Sequence, residues 1–216
     1  MGNTSKKTIE VGILLAPSVS FELEGDYGGY SGPCTATAEK GQIRFRDTTA
    51  DRFVFEPRNG NASFLLKEVV IGIEFHWERK EDQRFRGSLV LIPENNMVRA
   101  VNVLPVEDYL ISVIASEMSA TSSLEYLKAH AVISRSWLLS QIEKREALAH
   151  DHTEVFPSEV RNEKEWIKWW DREDHTLFHV CADDHCQRYQ GITRPSQSLC
   201  NVTRAVTETA GEVLTH

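Results

Sequence analysis

The chain has 216 residues, of which 41% are hydrophobic and 26% charged, and a net charge of -8. That acidity, with no basic stripe to offset it, excludes a nucleic-acid binder but not a binder of sugar polymers, which are read by hydrogen bonds and aromatic stacking. No apolar run approaches the roughly 18 residues of a membrane span, and Met1–Lys7 lacks the apolar segment of a secretory signal. The expectation is that the protein either stays inside the cell or has had an export segment removed ahead of Met1. The length suffices for one large domain or two small ones.

In chain order, Ile9–Leu15 reads as an apolar strand and Ser20–Glu24 alternates with period two. Residues 25–33 hold four glycines and a proline and read as a loop. No Gly-Lys-Ser/Thr ending follows, so a phosphate-binding loop is rejected. Further strands are expected at 42–47, 52–56, 63–67, 69–77, 84–92 and 97–103. Many short strands between turns suggest a sandwich or a barrel-like module.

The pattern changes at Pro105, a favourable first helical residue. Val106, Tyr109, Leu110, Val113 and Ile114 share one helical face. A second helix is expected from Ser122, the cap, with Glu125 completing a capping box. Its buried face carries Leu124, Leu127, Ala131, Leu138 and Ile142, and it runs to about Arg145. Beyond it comes a polar stretch with His150 and His152, then a short helix around Trp166, Trp169 and Trp170. Those tryptophans suit helix packing better than a sugar platform. Ala205–Leu214 reads as a helix end followed by a strand. The fold class is α+β, with a β-rich part over 1–103 and a helical part over 104–216.

Four cysteines are present. Cys34 and Cys200 stand alone, but Cys181 and Cys186 fall in His175-x5-Cys181-x3-His185-Cys186. Two thiols and two imidazoles within twelve residues suit one tetrahedral Zn²⁺, and four protein ligands make it structural rather than catalytic. His179 is the reserve ligand.

Three ordered stretches carry a resemblance. Asn102-Val103-Leu104-Pro105-Val106-Glu107-Asp108-Tyr109-Leu110, then Ser116-Glu117-Met118, then Ala129-His130-Ala131-Val132-Ile133-Ser134-Arg135 resemble the SpoIID/LytB family pattern N-x-L-P-x-E-x-Y-L, S-E-M-P, A-x-A-V-x-A-R. His175-x5-Cys181 with His185-Cys186-Gln187-x-Tyr189-x-Gly191 is similar to its second signature, and Ala205–Leu214 to its third. Phe85–Leu89 also fits. The sequence departs from the pattern at Ser119, where the family has proline, and at Ala182-Asp183-Asp184. The family domain also continues past the final strand, so the chain is expected to be truncated at its C-terminus.

The resemblance implies a bacterial cell-envelope protein, a zinc ion on His175, Cys181, His185 and Cys186, and Glu117 as the catalytic acid of a peptidoglycan lytic transglycosylase. Such an enzyme cleaves the β-1,4 bond between N-acetylmuramic acid and N-acetylglucosamine by closing a 1,6-anhydro ring. A single glutamate can act first as acid and then as base, so no second carboxylate is needed. The C-terminal end of a helix disfavours a second negative charge at Glu117. Gln187 and Tyr189 are expected in the substrate groove, although Tyr189 also suits the core. Arg135 is expected either to hold the sugar's lactyl carboxylate or to pair with Glu107 or Asp108. His130 reads as a bystander. The implied partner is a peptidoglycan glycan strand. The alternative is a non-catalytic module that activates a cell-wall amidase.

Overall fold

The computed structural model describes residues 7–73, 75–118, 122–150, 159–168, 175–192 and 199–215. The described residues form strands β1 (Thr8–Ala16), β2 (Ser18–Tyr27), β3 (Tyr30–Glu39), β4 (Gln42–Phe45), β5 (Thr48–Ala50), β6 (Phe53–Phe55), β7 (Ser63–Ile71), β8 (Arg79–Phe85), β9 (Ser88–Glu94) and β10 (Met97–Pro105). Helices α1 (Val106–Glu117) and α2 (Leu124–His150) follow, then short strands β11 (Glu159–Arg161), β12 (Trp166–Lys168) and β13 (Val180–Cys181), and helix α3 (Leu199–Glu208). The architecture is α+β, β-rich first and helical later.

Two sheets pack face to face, one in the order β13-β1-β10-β9-β6 and the other β5-β4-β3-β2-β7-β8. Phe21 and Phe45 of the second meet Phe55 of the first at ring separations of 5.2 Å each. Edge-on and tilted rings of this kind fill the space between sheets with large apolar area. One buried cluster runs from Ile9 through both sheets to Leu110, Leu138 and Val206 of the helices. Each helix therefore closes over the same core as the strands. Among the described residues, no helix is long and apolar enough to cross a membrane.

Several boundaries differ from expectation for physical reasons. Residues 25–33 are the tip of the β2–β3 hairpin, whose strands reach Tyr27 and resume at Tyr30. The expected strands at 63–67 and 69–77 are one strand, β7, bulged between Leu66 and Val69 and ending at Ile71. The expected strand at 84–92 is two, because Gly87 turns the chain at φ +84°. A Cβ there would lie 2.3 Å from the Val103 carbonyl oxygen, so only glycine fits.

The cap of α2 is Ser123 rather than Ser122: its hydroxyl accepts the Tyr126 N–H at 3.3 Å, so Glu125 closes no capping box. Glu125 instead pairs with Lys128, which also reaches Glu208 of α3. Trp166 lies in a β-hairpin, β11–β12, rather than in a helix. His152, Trp169 and Trp170 lie outside the described residues. No strand follows α3 in residues 209–215.

Candidate functional site

Strand β10 runs directly into α1, so the register of the sheet fixes where the helix ends. Val106, Tyr109, Leu110, Val113 and Ile114 are buried as the spacing predicts, which turns Glu117, the last helical residue, away from the core. Met118 then adopts an extended conformation while its N–H still bonds the Ile114 carbonyl, which stops the helix. The Glu117 side chain is 26% exposed. Its Oε1 accepts the backbone N–H of Arg188 at 3.1 Å, and its Oε2 lies 3.5 Å from His130 Nε2.

His130, read from the sequence as a bystander, is thus a neighbour of Glu117. Its Nε2 also lies 3.5 Å from the Ser134 hydroxyl, and its Nδ1 is buried with no partner among the described residues. Burial pushes the imidazole below the ordinary histidine value, and the Glu117 charge opposes this more weakly. Because the folded value is the lower one, the unfolded chain binds more protons, so stability falls as pH drops below about 6.5. Replacing His130 with Gln should flatten that part of the curve. Urea midpoints of wild type and His130→Gln across pH 5 to 7.5 check this, with convergence toward neutral pH expected.

Glu117 reaches the cysteine–histidine cluster through Arg188. β13 pairs in parallel with β1, which delivers Cys181 to the sheet edge, and the Ala182 N–H bonds the Gly12 carbonyl at 2.9 Å. A turn closed by the Cys186 N–H on the Asp183 carbonyl brings His185 and Cys186 back beside Cys181. The ligand atoms of His175, Cys181, His185 and Cys186 all lie within 4.8 Å of one another. His185 Nδ1 and His175 Nε2 are each 3.4 Å from Cys186 Sγ, and His185 Nδ1 is 3.9 Å from Cys181 Sγ. A tetrahedral ion with bonds of about 2.0–2.3 Å needs ligand edges of about 3.3–3.8 Å, which the two 3.4 Å separations meet and the 3.9 Å one slightly exceeds, so the four atoms could hold a metal.

The Cys181 N–H points at Cys186 Sγ, a contact that favours thiolate. Hydrogen bonding from Cys186 pushes the Cys181 thiol down, and the same contact pushes Cys186 up: two adjacent sulfurs resist carrying two charges without a cation. His179 is outside the group, since its Nδ1 accepts the Glu10 N–H at 3.0 Å.

The remaining expected site residues divide. Arg135 is fully buried, and its guanidinium is spent on a two-pronged pair with Glu107, at 3.0 and 2.7 Å, and on the carbonyls of Ala131, Val206 and Glu212. It ties α1, α2 and the segment after α3 together and offers no donor to a ligand. Tyr189 is also core: its ring stacks on Tyr109 at 5.1 Å, and its hydroxyl donates to Asn102 Oδ1 at 2.6 Å. Burial pushes that phenol far up. Gln187 is 8% exposed, with its Oε1 unpartnered among the described residues.

Replacing Arg135 with Leu should cost about 3–5 kcal/mol, because the Glu107 carboxylate and three carbonyls lose their partner. Lys at this position should recover less than half, since it cannot make the planar two-pronged contact. Denaturant titration checks both.

A cavity of about 910 Å³ opens beside the cluster. Cys181, His185 and Arg188 line it, together with Ile73, Phe75, Glu94 and Arg99. Glu117 is not among the residues that line this cavity; Arg188, which is, gives its backbone N–H to Glu117.

A family model described as stage II sporulation protein, SpoIID, matches residues 94–216. The chain belongs to the SpoIID family. It is 28% identical over 138 residues to stage II sporulation protein D of Bacillus subtilis, covering 63% of this chain and 36% of that protein. It is 35% identical over 117 residues to an uncharacterized protein of Brachyspira hyodysenteriae, covering 54% of this chain and 27% of that one. The chain thus spans about a third of the length of these curated relatives. No solved structure matches. The SpoIID match takes in β10, the helices, Glu117 and the cysteine–histidine cluster, and leaves the β7–β8 hairpin outside it.

Proposed function

We propose that this SpoIID chain is a peptidoglycan lytic transglycosylase with Glu117 as its acid and base. Family membership supports a role at the cell wall. The observation that carries the reaction is the setting of Glu117: a partly exposed carboxyl, tied by the Arg188 N–H to a loop only two residues past Cys186. A proton donor works only if its geometry is held, and here a helix end, a backbone N–H and an imidazole hold it.

In the first half-reaction the Glu117 carboxyl gives its proton to the N-acetylglucosamine O4 as the bond from C1 of N-acetylmuramic acid breaks. In the second, the Glu117 carboxylate takes the proton of the muramic 6-hydroxyl while O6 bonds to C1. The proton count closes on one residue, and water is not consumed. His130, neutral because it is buried, flanks the carboxyl without competing for it as a charge.

His175, Cys181, His185 and Cys186 would hold Zn²⁺, which at a site with four protein ligands supplies a fixed loop rather than a reactive position. The proposed setting is outside the cytoplasm, at the bacterial cell envelope. Purified protein incubated with peptide-free glycan strands should release chains ending in anhydromuramic acid, detected by mass spectrometry. Ordinary reducing ends would indicate a muramidase, and no release would favour the amidase-activating module.

A further inference from the structure

We propose that the tip of the β7–β8 hairpin carries a saccharide subsite, with Phe75 as the platform on which one N-acetylhexosamine ring of the glycan stacks. The inference rests on the glycan-cleaving role proposed above, but Gly72, Phe75 and Trp77 lie outside the SpoIID match. Phe75 is 51% exposed yet held in place: its ring lies on Trp77 at 5.3 Å and 13° between planes. Trp77 is seated in turn on Gly72, where a Cβ would fall 2.2 Å from the indole, and beneath the Arg188 guanidinium at 5.1 Å. The hairpin is fastened to the metal-binding loop by Asp183, whose carboxylate accepts the N–H groups of Gly72 and Ile73 at 3.4 and 3.2 Å. An aromatic face is thereby fixed in space and open on one side.

The cavity that Phe75 faces has a definite chemistry. Its two arginines are already paired, Arg99 with Glu94 at 2.6 and 3.0 Å and Arg188 with Asp184 at 3.0 and 3.1 Å, while Asp183, hydrogen-bonded to the two N–H groups, leaves one negative charge. Two thiolates and one divalent cation would sum to zero. A site with an exposed ring, both arginines already paired and one carboxylate in excess disfavours an anion and suits a neutral ligand with an apolar face and a polar edge. A pyranose has that form, because its axial C–H bonds cover an aromatic ring while its hydroxyl and acetamido groups point sideways. Arg188 links platform and chemistry, since its guanidinium covers Trp77 while its backbone N–H holds Glu117.

The test measures binding apart from cleavage, in full-length Glu117→Gln protein with peptide-free glycan strands as the probe, by calorimetry. Phe75→Ala in that background should weaken binding about tenfold, and Phe75→Tyr should stay within about twofold. Phe75 is half exposed, so the folded state survives both changes, and unchanged thermal midpoints verify it. Equal binding by the Ala variant, or no binding by the Glu117→Gln parent, overturns the platform. Phe75-dependent binding with no cleavage by the wild type leaves the platform standing and removes the catalytic role instead.

Discussion

Glu117→Gln protein should fold as the wild type does and yet release anhydromuramic ends at a rate lower by about 10²–10⁴-fold. The substitution is chosen because it changes so little else. A glutamine oxygen can still accept the Arg188 N–H that Glu117 Oε1 accepts at 3.1 Å, and the amide can still meet His130. What disappears is a transferable proton in the first half-reaction and its acceptor in the second. Glu117 is partly exposed at a helix end, so no cavity opens and the thermal midpoint should hold. Activity surviving at more than about a tenth of wild type would place the acid elsewhere.

Removal of the metal should have the second largest effect. Cys181→Ser, or treatment with a strong chelator, should abolish binding of one equivalent of zinc. It should also lower stability by about 4 kcal/mol or more. For a chain of this size that is a fall in melting temperature of about 8–16 °C. The reason is the reach of the loop. Residues 180–190 place β13 on β1, Asp183 on the β7–β8 hairpin, the Arg188 N–H on Glu117 and Tyr189 in the core. Losing the ion leaves two adjacent sulfurs and two imidazoles with no cation to hold them together. Cys34→Ser and Cys200→Ser are the controls, and both should keep the metal, because neither side chain belongs to the cluster. Equal melting temperatures for metal-free and metal-loaded protein would contradict a bracing role.

Much of this was legible in the sequence, for reasons that vary by residue. The face of α1 was readable because Val106, Tyr109, Leu110, Val113 and Ile114 repeat with the helical period. The cluster was readable because four metal-type side chains crowd into twelve residues. Arg135 was only half readable. Sequence allowed both a pair with Glu107 and a ligand contact, and full burial with five hydrogen bonds decides for the pair. Tyr189 resolves in the same way, toward Asn102 and Tyr109.

What escaped the sequence depends on long-range packing. His130 lies at the edge of the buried stripe formed by Leu127 and Ala131, and that spacing was the available signal. Its meeting with Glu117, however, depends on how α2 crosses α1. Phe75 and Trp77 were absorbed into an expected strand because aromatic residues favour strands. Gly72, at φ +70°, instead ends β7 and frees the tip. Trp166 was expected in a short helix after a polar loop, whereas the Asn162 side chain accepts the N–H groups of Lys164 and Glu165 at 2.8 and 2.9 Å and makes the turn of a hairpin.

The most direct test runs the wild-type reaction with peptide-free glycan strands in water enriched in heavy oxygen and reads the new muramic ends by mass spectrometry. Attack by the sugar's own 6-hydroxyl predicts anhydro ends that carry no label. A heavy oxygen at C1 of the new ends would mean that water is the nucleophile, and would contradict one-residue acid and base catalysis by Glu117.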